Sequence, residues 1–156
     1  MDSTAGAAYY GKGIGFYEAE RYQEASQQFK QALDAQLNNG DVYFMLGSSL
    51  YFMDQPRLAL PYLQQAVELN EEDTEARFQM ALALAKTEAI SEALAHLEQV
   101  VEQEPDHADA WYNIGVAHVT GARLEEARKA FEKTVQVQDD HVLAKHALAA
   151  MNTASE

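Results

Sequence analysis

The chain has 156 residues, enough for one domain with a hydrophobic core and too few for two ordinary ones. Hydrophobic residues make up 47% and charged residues 23%, a composition typical of globular proteins and unlike that of disordered chains. The 25 acidic and 11 basic residues give a formal charge of −14, which repels nucleic acid and anionic membrane surfaces. We therefore expect neither nucleic acid nor a membrane among the partners of this chain.

The sequence contains no cysteine and no segment typical of targeting or membrane insertion. The lack of Cys excludes disulfides and thiolate metal sites, and it suits a reducing compartment. The first residues, MDSTAGAAYYGKGIGFY, lack the basic region and the apolar region of a signal peptide. No run approaches the roughly 18 apolar residues that a membrane-spanning helix needs. The sequence favours a cytoplasmic protein.

Small and bulky residues recur with a period of 34 residues. One series holds Gly13, Gly47, Ala81 and Gly115, a second holds Ala25, Ala59, Ala93 and Ala127, and a third holds Phe29, Leu63, Leu97 and Phe131. A fixed period of this length indicates a repeat architecture. The register predicts a single domain, 1–156, with repeats at 6–39, 40–73, 74–107 and 108–141 and a C-terminal capping helix over 142–152.

Each repeat carries two apolar stripes with helical spacing. In the fourth repeat the stripes are Trp111, Gly115 and His118, then Ala127, Phe131 and Thr134. Short polar or breaker segments, such as 54–56 and 121–123, separate the two stripes. Because small residues let two helices approach closely, we interpret each repeat as a hairpin of helix A and helix B.

This pattern resembles the tetratricopeptide repeat family over about nine tenths of the chain. The matching residues are Tyr43, Leu46, Gly47, Leu50, Ala59, Leu63 and Ala66 in the second repeat, and Trp111, Ile114, Gly115, Ala127 and Phe131 in the fourth. The departures are Lys12, Arg77 and the closing residues Leu37, Glu71 and Asp139, where the family usually has Leu, an aromatic and Pro. The resemblance implies an all-α fold, a right-handed superhelical solenoid.

Two longer stretches are similar to a narrower group within this family. They are QPRLALPYLQQAVELNEEDTEARFQ and EQEPDHADAWYNIGVAH, and they resemble the small stand-alone YrrB-type repeat proteins of Bacillus-like bacteria. The resemblance favours a bacterial source for the chain.

A helical wheel places repeat positions 2, 5, 9 and 12 opposite the core side of helix A. In the family that this chain resembles, that side, with positions 6 and 13, lines a concave groove in which ligand peptides lie. The resemblance therefore implies these peptide-binding residues: Tyr10, Asp41, Phe44, Met45, Ser48, Tyr51, Phe52, Glu75, Phe78, Gln79, Asp109, Tyr112, Asn113 and Val116. Position 5 is aromatic in every repeat, and position 2 adds carboxylates in three of them.

These groove residues predict a protein-interaction scaffold whose partner brings apolar anchors and some basic residues. Lys86 is the only basic residue at the six groove positions, so a clamp for a carboxylate terminus is not expected. Helical periodicity does not separate two buried faces, so each position-5 aromatic fits either ligand contact or packing against a neighbouring repeat. Asn113 would be able to hydrogen-bond the backbone of a bound peptide.

No motif in the sequence predicts an enzyme, a cofactor or a metal. Ser48, Ser49 and Ser91 lie in no Gly-x-Ser-x-Gly turn, and the five His form no His-Glu-x-x-His helix. The glycine-rich run 11–15 falls inside a predicted helix and lacks the Gly-Lys-Ser/Thr ending of a phosphate loop. We expect a non-catalytic protein without cofactor or metal.

The two ends of the array differ. Residues 142–152 supply a capping helix, whereas the residues before repeat one are too few for a cap. The sequence thus favours a fragment of a longer array, either a monomer or a weak homodimer through the N-terminal repeat. The alternative function is a structural self-assembly module that stacks through exposed repeat ends.

Overall fold

In a computed structural model that describes residues 3–154, the chain forms nine α-helices and no strand. The helices are α1 (Ser3–Glu18), α2 (Tyr22–Asp34), α3 (Gly40–Phe52), α4 (Pro56–Leu69), α5 (Thr74–Lys86), α6 (Ile90–Gln103), α7 (Ala108–Thr120), α8 (Leu124–Val137) and α9 (Val142–Ala154). The predicted all-α class is confirmed for this range. The outermost residues of the predicted domain 1–156 lie outside the described residues.

The chain divides into two compact units, Met1–Thr87 and Glu88–Glu156. In the first unit α1 packs on α2 and α3 packs on α4, while α2 contacts α3 and α4 contacts α5. In the second unit α7 packs on α8, α6 contacts α7, and α8 contacts α9. Helices that follow one another in the chain are thus neighbours within each unit. The single domain and its repeat boundaries stay predictions.

The buried residues follow the 34-residue series. Ala25, Ala59, Ala93 and Ala127 are fully buried, and Phe29, Leu63, Leu97 and Phe131 are at most 2% exposed. A Cβ atom on Gly13 or Gly115 would lie 2.5 Å from a ring atom of Phe29 or Phe131, closer than atoms approach in a packed core. The bulky helix-B residue therefore requires glycine at the facing position of helix A in these two hairpins.

The last residue of each predicted repeat is an N-cap for the next helix. The Asn39 and Asp73 side chains accept hydrogen bonds from the backbone N–H groups of the residues three further on, both at 3.1 Å. His107 and His141 do the same through Nδ1, at 3.1 and 3.2 Å. These side chains satisfy N–H groups that a helix start leaves without an intrahelical partner. Position 34 of the repeat was not predicted to be a helix cap.

The turn from helix A to helix B places a non-glycine residue in the left-handed region of backbone conformation. Glu20, Asp54, Glu88 and Ala122 have φ between 58° and 69° and are spaced by 34 residues. In the fourth repeat the glycine lies one residue too early for this conformation, since Gly121 has a φ of −85°. Side chains disfavour the left-handed region, so each of these turns contains local strain.

Ala122→Gly should raise the free energy of unfolding by about 0.5–1 kcal/mol, because glycine adopts φ near 58° without a Cβ clash. Urea denaturation monitored by circular dichroism measures the change. Ala149→Gly is the matched control, since Ala149 is exposed inside α9 and should lose about 1 kcal/mol on the same substitution. A loss of stability in both variants would contradict the assignment of strain to Ala122.

Helix α9 packs on the fourth hairpin through one face. Ala144 is buried with Ala127 and Phe131, and Leu148 and Met151 pack against the same cluster. The exposed surface of α9 is less polar than a cap requires, because Val142 is 60% exposed and Leu143 is 57% exposed. The end of the second unit therefore presents aliphatic surface to solvent.

Candidate functional site

The predicted groove residues fall into three classes of exposure. Asp41, Phe52, Glu75, Asp109 and Val116 are exposed; Tyr10, Phe44, Met45, Tyr51, Tyr112 and Asn113 are half-buried; Ser48, Phe78 and Gln79 are buried. All of them belong to helices α1, α3, α5 and α7. The buried three present little surface to a ligand in this structure, so the exposed and half-buried residues are the better candidates for contact.

Tyr10 connects the groove face of α1 to its own hairpin and to α3. Its ring lies 5.8 Å from the Phe29 ring, centroid to centroid, in a tilted arrangement. Burial raises the pKa of the Tyr10 hydroxyl above its usual range, and the charge of the Asp41 carboxylate raises it further. Tyr10 therefore packs against the core while its hydroxyl lies in the field of an exposed acid.

Tyr17 brings together side chains from four helices of the first unit. Burial raises the pKa of its hydroxyl, and Tyr22 on α2 and Glu75 on α5 raise it further, against a lowering contribution from the hydroxyl of Ser48 on α3. These residues come from three different predicted repeats, so closeness in the sequence does not explain why they lie together. The A helices of this unit thus bring aromatic and acidic side chains to one place.

Lys86, the only base at the groove positions, contacts an aromatic ring. Its Nζ lies 4.7 Å from the centroid of the Tyr51 ring and 4.0 Å from Oδ1 of Asp54. An ammonium group at this distance is attracted by the negative face of the ring. The first unit therefore holds one of its own cations between an aromatic side chain and a carboxylate.

In the second unit the groove residues are joined to the N-cap of α9. Nε2 of His141 lies 3.1 Å from Oδ1 of Asp109, and the two groups are 32 residues apart in the sequence. Because Nδ1 of His141 accepts from the Ala144 N–H, Nε2 carries the proton and donates to Asp109. Asp109, predicted as a peptide-binding residue, is thus hydrogen-bonded within the unit.

Tyr112 has a packing role as well as a groove position. Its ring lies 5.6 Å from the Phe131 ring and 5.1 Å from the His141 ring. Asn113 donates from Nδ2 to the backbone oxygen of Asp109 at 2.8 Å, so one of its amide hydrogens is used within α7. Both residues stay candidates for ligand contact, and Tyr112 also stabilises the hairpin.

Two groove-side residues were not among the candidates. Val119 lies on the same face of α7 as Val116, and the two side chains are 45% and 39% exposed. Tyr22, the first residue of α2, stacks on Phe52 with the ring centroids 5.1 Å apart. Val119 occupies a groove position and was identifiable from the repeat, whereas no periodic pattern marks Tyr22.

A separate cavity of about 420 Å³ lies between α6, α7 and α8, on the side of α7 that carries Trp111. Its lining includes Val101, Trp111, Ile114, Lys129 and Lys133. The Trp111 indole is fixed by donation of its N–H to the Pro105 carbonyl at 2.8 Å. None of the predicted groove residues lines this cavity.

Over residues 3–154 there is no group of three or more His, Asp or Glu side chains placed to hold a metal ion. Within the same range, no helix is long and apolar enough to cross a membrane.

The sequence profile of the tetratricopeptide repeat family matches residues 10–51, 44–93 and 78–141. The chain belongs to the tetratricopeptide repeat family. Proteins of this family generally mediate protein–protein interaction. A search among curated proteins finds no match to the chain.

Solved structures of repeat proteins are similar to this one. YrrB, described as a TPR protein with an unusual peptide-binding site, is 49% identical with a TM-score of 0.88, covering 94% of this chain and 75% of YrrB. MamA from Desulfovibrio magneticus RS-1 is 21% identical with a TM-score of 0.90, covering 97% of this chain and 86% of that one. Pseudomonas aeruginosa pilF is 17% identical with a TM-score of 0.85, covering 97% and 69%.

The similarity to YrrB confirms the resemblance that the sequence indicated, and it confirms the repeat fold class. The likeness to MamA and pilF supports the fold alone, because so little of the sequence is identical.

Proposed function

We propose that this protein is a non-catalytic scaffold that holds a peptide or helix of a partner protein on the groove faces of its A helices. The observation that carries the proposal is the pairing of exposed apolar side chains with exposed carboxylates on those faces. Phe52 is 49% exposed and Val116 is 39% exposed, and the carboxylates of Asp41 and Glu75 are exposed as well. A partner segment with apolar anchors and basic residues would complement both features.

The similarity to YrrB supports this proposal. YrrB is described as having a peptide-binding site, and it is 49% identical to this chain. A bacterial cytoplasm, which the sequence favours, is part of the proposal, as is the absence of a catalytic step.

The test is capture of partners from the source cell by three immobilised forms of the protein. The groove variant combines Glu75→Lys, Val116→Ser and Val119→Ser, all at exposed positions. We expect it to lose at least about tenfold in affinity for the partner, because exposed apolar residues and complementary charges contribute directly to such contacts.

The matched control combines Glu92→Lys, Leu58→Ser and Leu69→Ser. These residues are also exposed, lie on the B helices α4 and α6, and include an acid in a first helical turn as Glu75 is. Thermal denaturation of all three forms establishes that they are equally folded. Equal capture by the groove and control variants would overturn the proposal.

Self-assembly is the second candidate, and the exposed Val142 and Leu143 on α9 favour it. Sedimentation of the purified chain distinguishes the two functions. A concentration-dependent oligomer that is dissociated by Leu143→Glu would support self-assembly. A monomer at all concentrations would exclude the self-assembly function.

A further inference from the structure

Four aromatic side chains of the first unit form one cluster at the ends of α1 and α3 and the start of α2. They are Tyr17, Tyr22, Tyr51 and Phe52, and neighbouring ring centroids lie between 5.1 and 6.3 Å apart. Tyr22 and Phe52 are stacked with an interplanar angle of 26°, while the other contacts are edge-on. Phe52 is 49% exposed, so the cluster presents a fixed aromatic surface to solvent.

Acidic groups surround this aromatic cluster. Glu75 raises the pKa of the Tyr17 hydroxyl, the exposed Glu18 is the last residue of α1, and the exposed Asp54 lies two residues after the end of α3. The nearest arginine in sequence, Arg21, is engaged elsewhere, since it forms an ion pair with Glu24 at 3.1 Å and lies over the Phe16 ring. The field at the cluster therefore favours a cation from outside the unit.

One side of the cluster already holds a cation. Lys86 lies over the Tyr51 ring at 4.7 Å, with Asp54 at 4.0 Å. Among the described residues, no lysine or arginine lies over the stacked Tyr22 and Phe52 rings. The stacked rings thus offer a second, solvent-facing aromatic surface, over which the described residues place no cation.

From this arrangement we infer that the Tyr22–Phe52 face is a subsite for an arginine side chain of the partner segment. The inference rests on the proposed function and adds the chemistry of one anchor. A planar guanidinium stacks flat on an aromatic ring and is more weakly hydrated than an ammonium, so arginine suits an open stacked face better than lysine does. The carboxylates of Glu75, which acts on Tyr17, and of Asp54, which pairs with Lys86 over Tyr51, give this part of the unit a negative charge that complements the guanidinium.

The experiment titrates the full chain with N-acetyl-arginine amide and follows the ring resonances of Tyr22 and Phe52 by NMR. N-acetyl-citrulline amide is the matched probe, because it has nearly the same shape and no charge. We expect a saturable shift with the arginine probe and at least about threefold weaker binding of the citrulline probe, the difference that an exposed cation–π contact supplies.

Phe52→Ala should abolish the shift of the Tyr22 ring, whereas Phe52→Trp should retain it because an aromatic face is restored. Leu58→Ala is the control, since Leu58 is an exposed aliphatic residue of the same unit outside the cluster. Circular dichroism establishes that the variants are folded. Equal binding of both probes, or arginine binding that persists in Phe52→Ala, would overturn the subsite.

The arginine probe is titrated on the chain without the groove or control substitutions, whereas partner capture compares those two variants, and this separates the two proposals. Partner capture that depends on the groove, together with failure of the arginine probe, rejects the subsite and keeps the scaffold function. Binding of the arginine probe, together with equal capture by groove and control variants, rejects the scaffold function.

Discussion

Gly115→Ala should lower the free energy of unfolding by about 1–3 kcal/mol, the usual effect of overpacking a core. The added Cβ would lie 2.5 to 2.8 Å from three ring atoms of Phe131. The ring has little room to move, because Phe131 is only 2% exposed and packs against Tyr112 and α9. Urea denaturation of the purified chain measures the loss.

The matched control is Gly11→Ala. Gly11 also lies inside an A helix, but a Cβ atom there would meet no heavy atom within 4 Å. The same substitution should therefore stabilise the chain by about 0.5–1 kcal/mol through helix propensity. Two variants with the same chemical change and opposite signs isolate the close helix crossing; a neutral or stabilising Gly115→Ala would show that the hairpin relaxes without cost.

A double mutant tests whether the ring itself causes the loss. In a Phe131→Leu background the smaller side chain leaves space beside Gly115, so Gly115→Ala should cost less there than in the original chain. We expect a coupling free energy of at least about 0.5 kcal/mol between the two sites. Simple additivity would assign the loss to the backbone of α7 instead.

The sequence was sufficient to predict the hairpin core because one physical constraint recurs four times. A helix crossing close enough to bury Phe131 requires glycine opposite it, Gly47 likewise lies opposite Leu63, and the sequence has a small residue at this position of every repeat. Four copies of the constraint make the period visible without any other sequence for comparison.

The turns and caps were harder to read because several residue types satisfy each of them. Asn39, Asp73 and His141 differ chemically, yet all place an acceptor near the N–H groups of a helix start. The left-handed turn position is likewise shared by acidic residues and Ala122. Because different residue types provide the acceptor or adopt the backbone angle, these positions show no single residue type, common to all repeats, that the sequence alone would reveal.

The groove was predictable only in outline, since helix A has contacts on more than one side. Tyr112 occupies a groove position and also packs on Phe131 and His141, so its substitution would confuse binding with stability. The Tyr22 and Phe52 stack depends on how two hairpins meet, which helical periodicity within one hairpin does not specify. The exposed residues Glu75 and Val116 are accordingly better probes of binding than the position-5 aromatics.

His141→Ala should lower the free energy of unfolding by about 2 kcal/mol, because one side chain supplies three contacts. Its Nδ1 accepts from the Ala144 N–H, its Nε2 donates to Asp109, and its ring packs on Tyr112. Ala144 is fully buried, so its N–H would lose its hydrogen bond without replacement by solvent. Amide hydrogen exchange should show that protection is lost first in α9.

His141→Asn separates the cap from the other two contacts. Asn39 caps α3 at the equivalent repeat position through its side-chain oxygen, so asparagine at 141 should restore the hydrogen bond to Ala144 while losing the contact with Asp109. We expect this variant to recover about half of the stability lost in His141→Ala, together with the exchange protection of the first turn of α9. Equal losses in the two variants would mean that the ring packing on Tyr112 and the contact with Asp109, and not the cap, anchor α9 to the fourth hairpin.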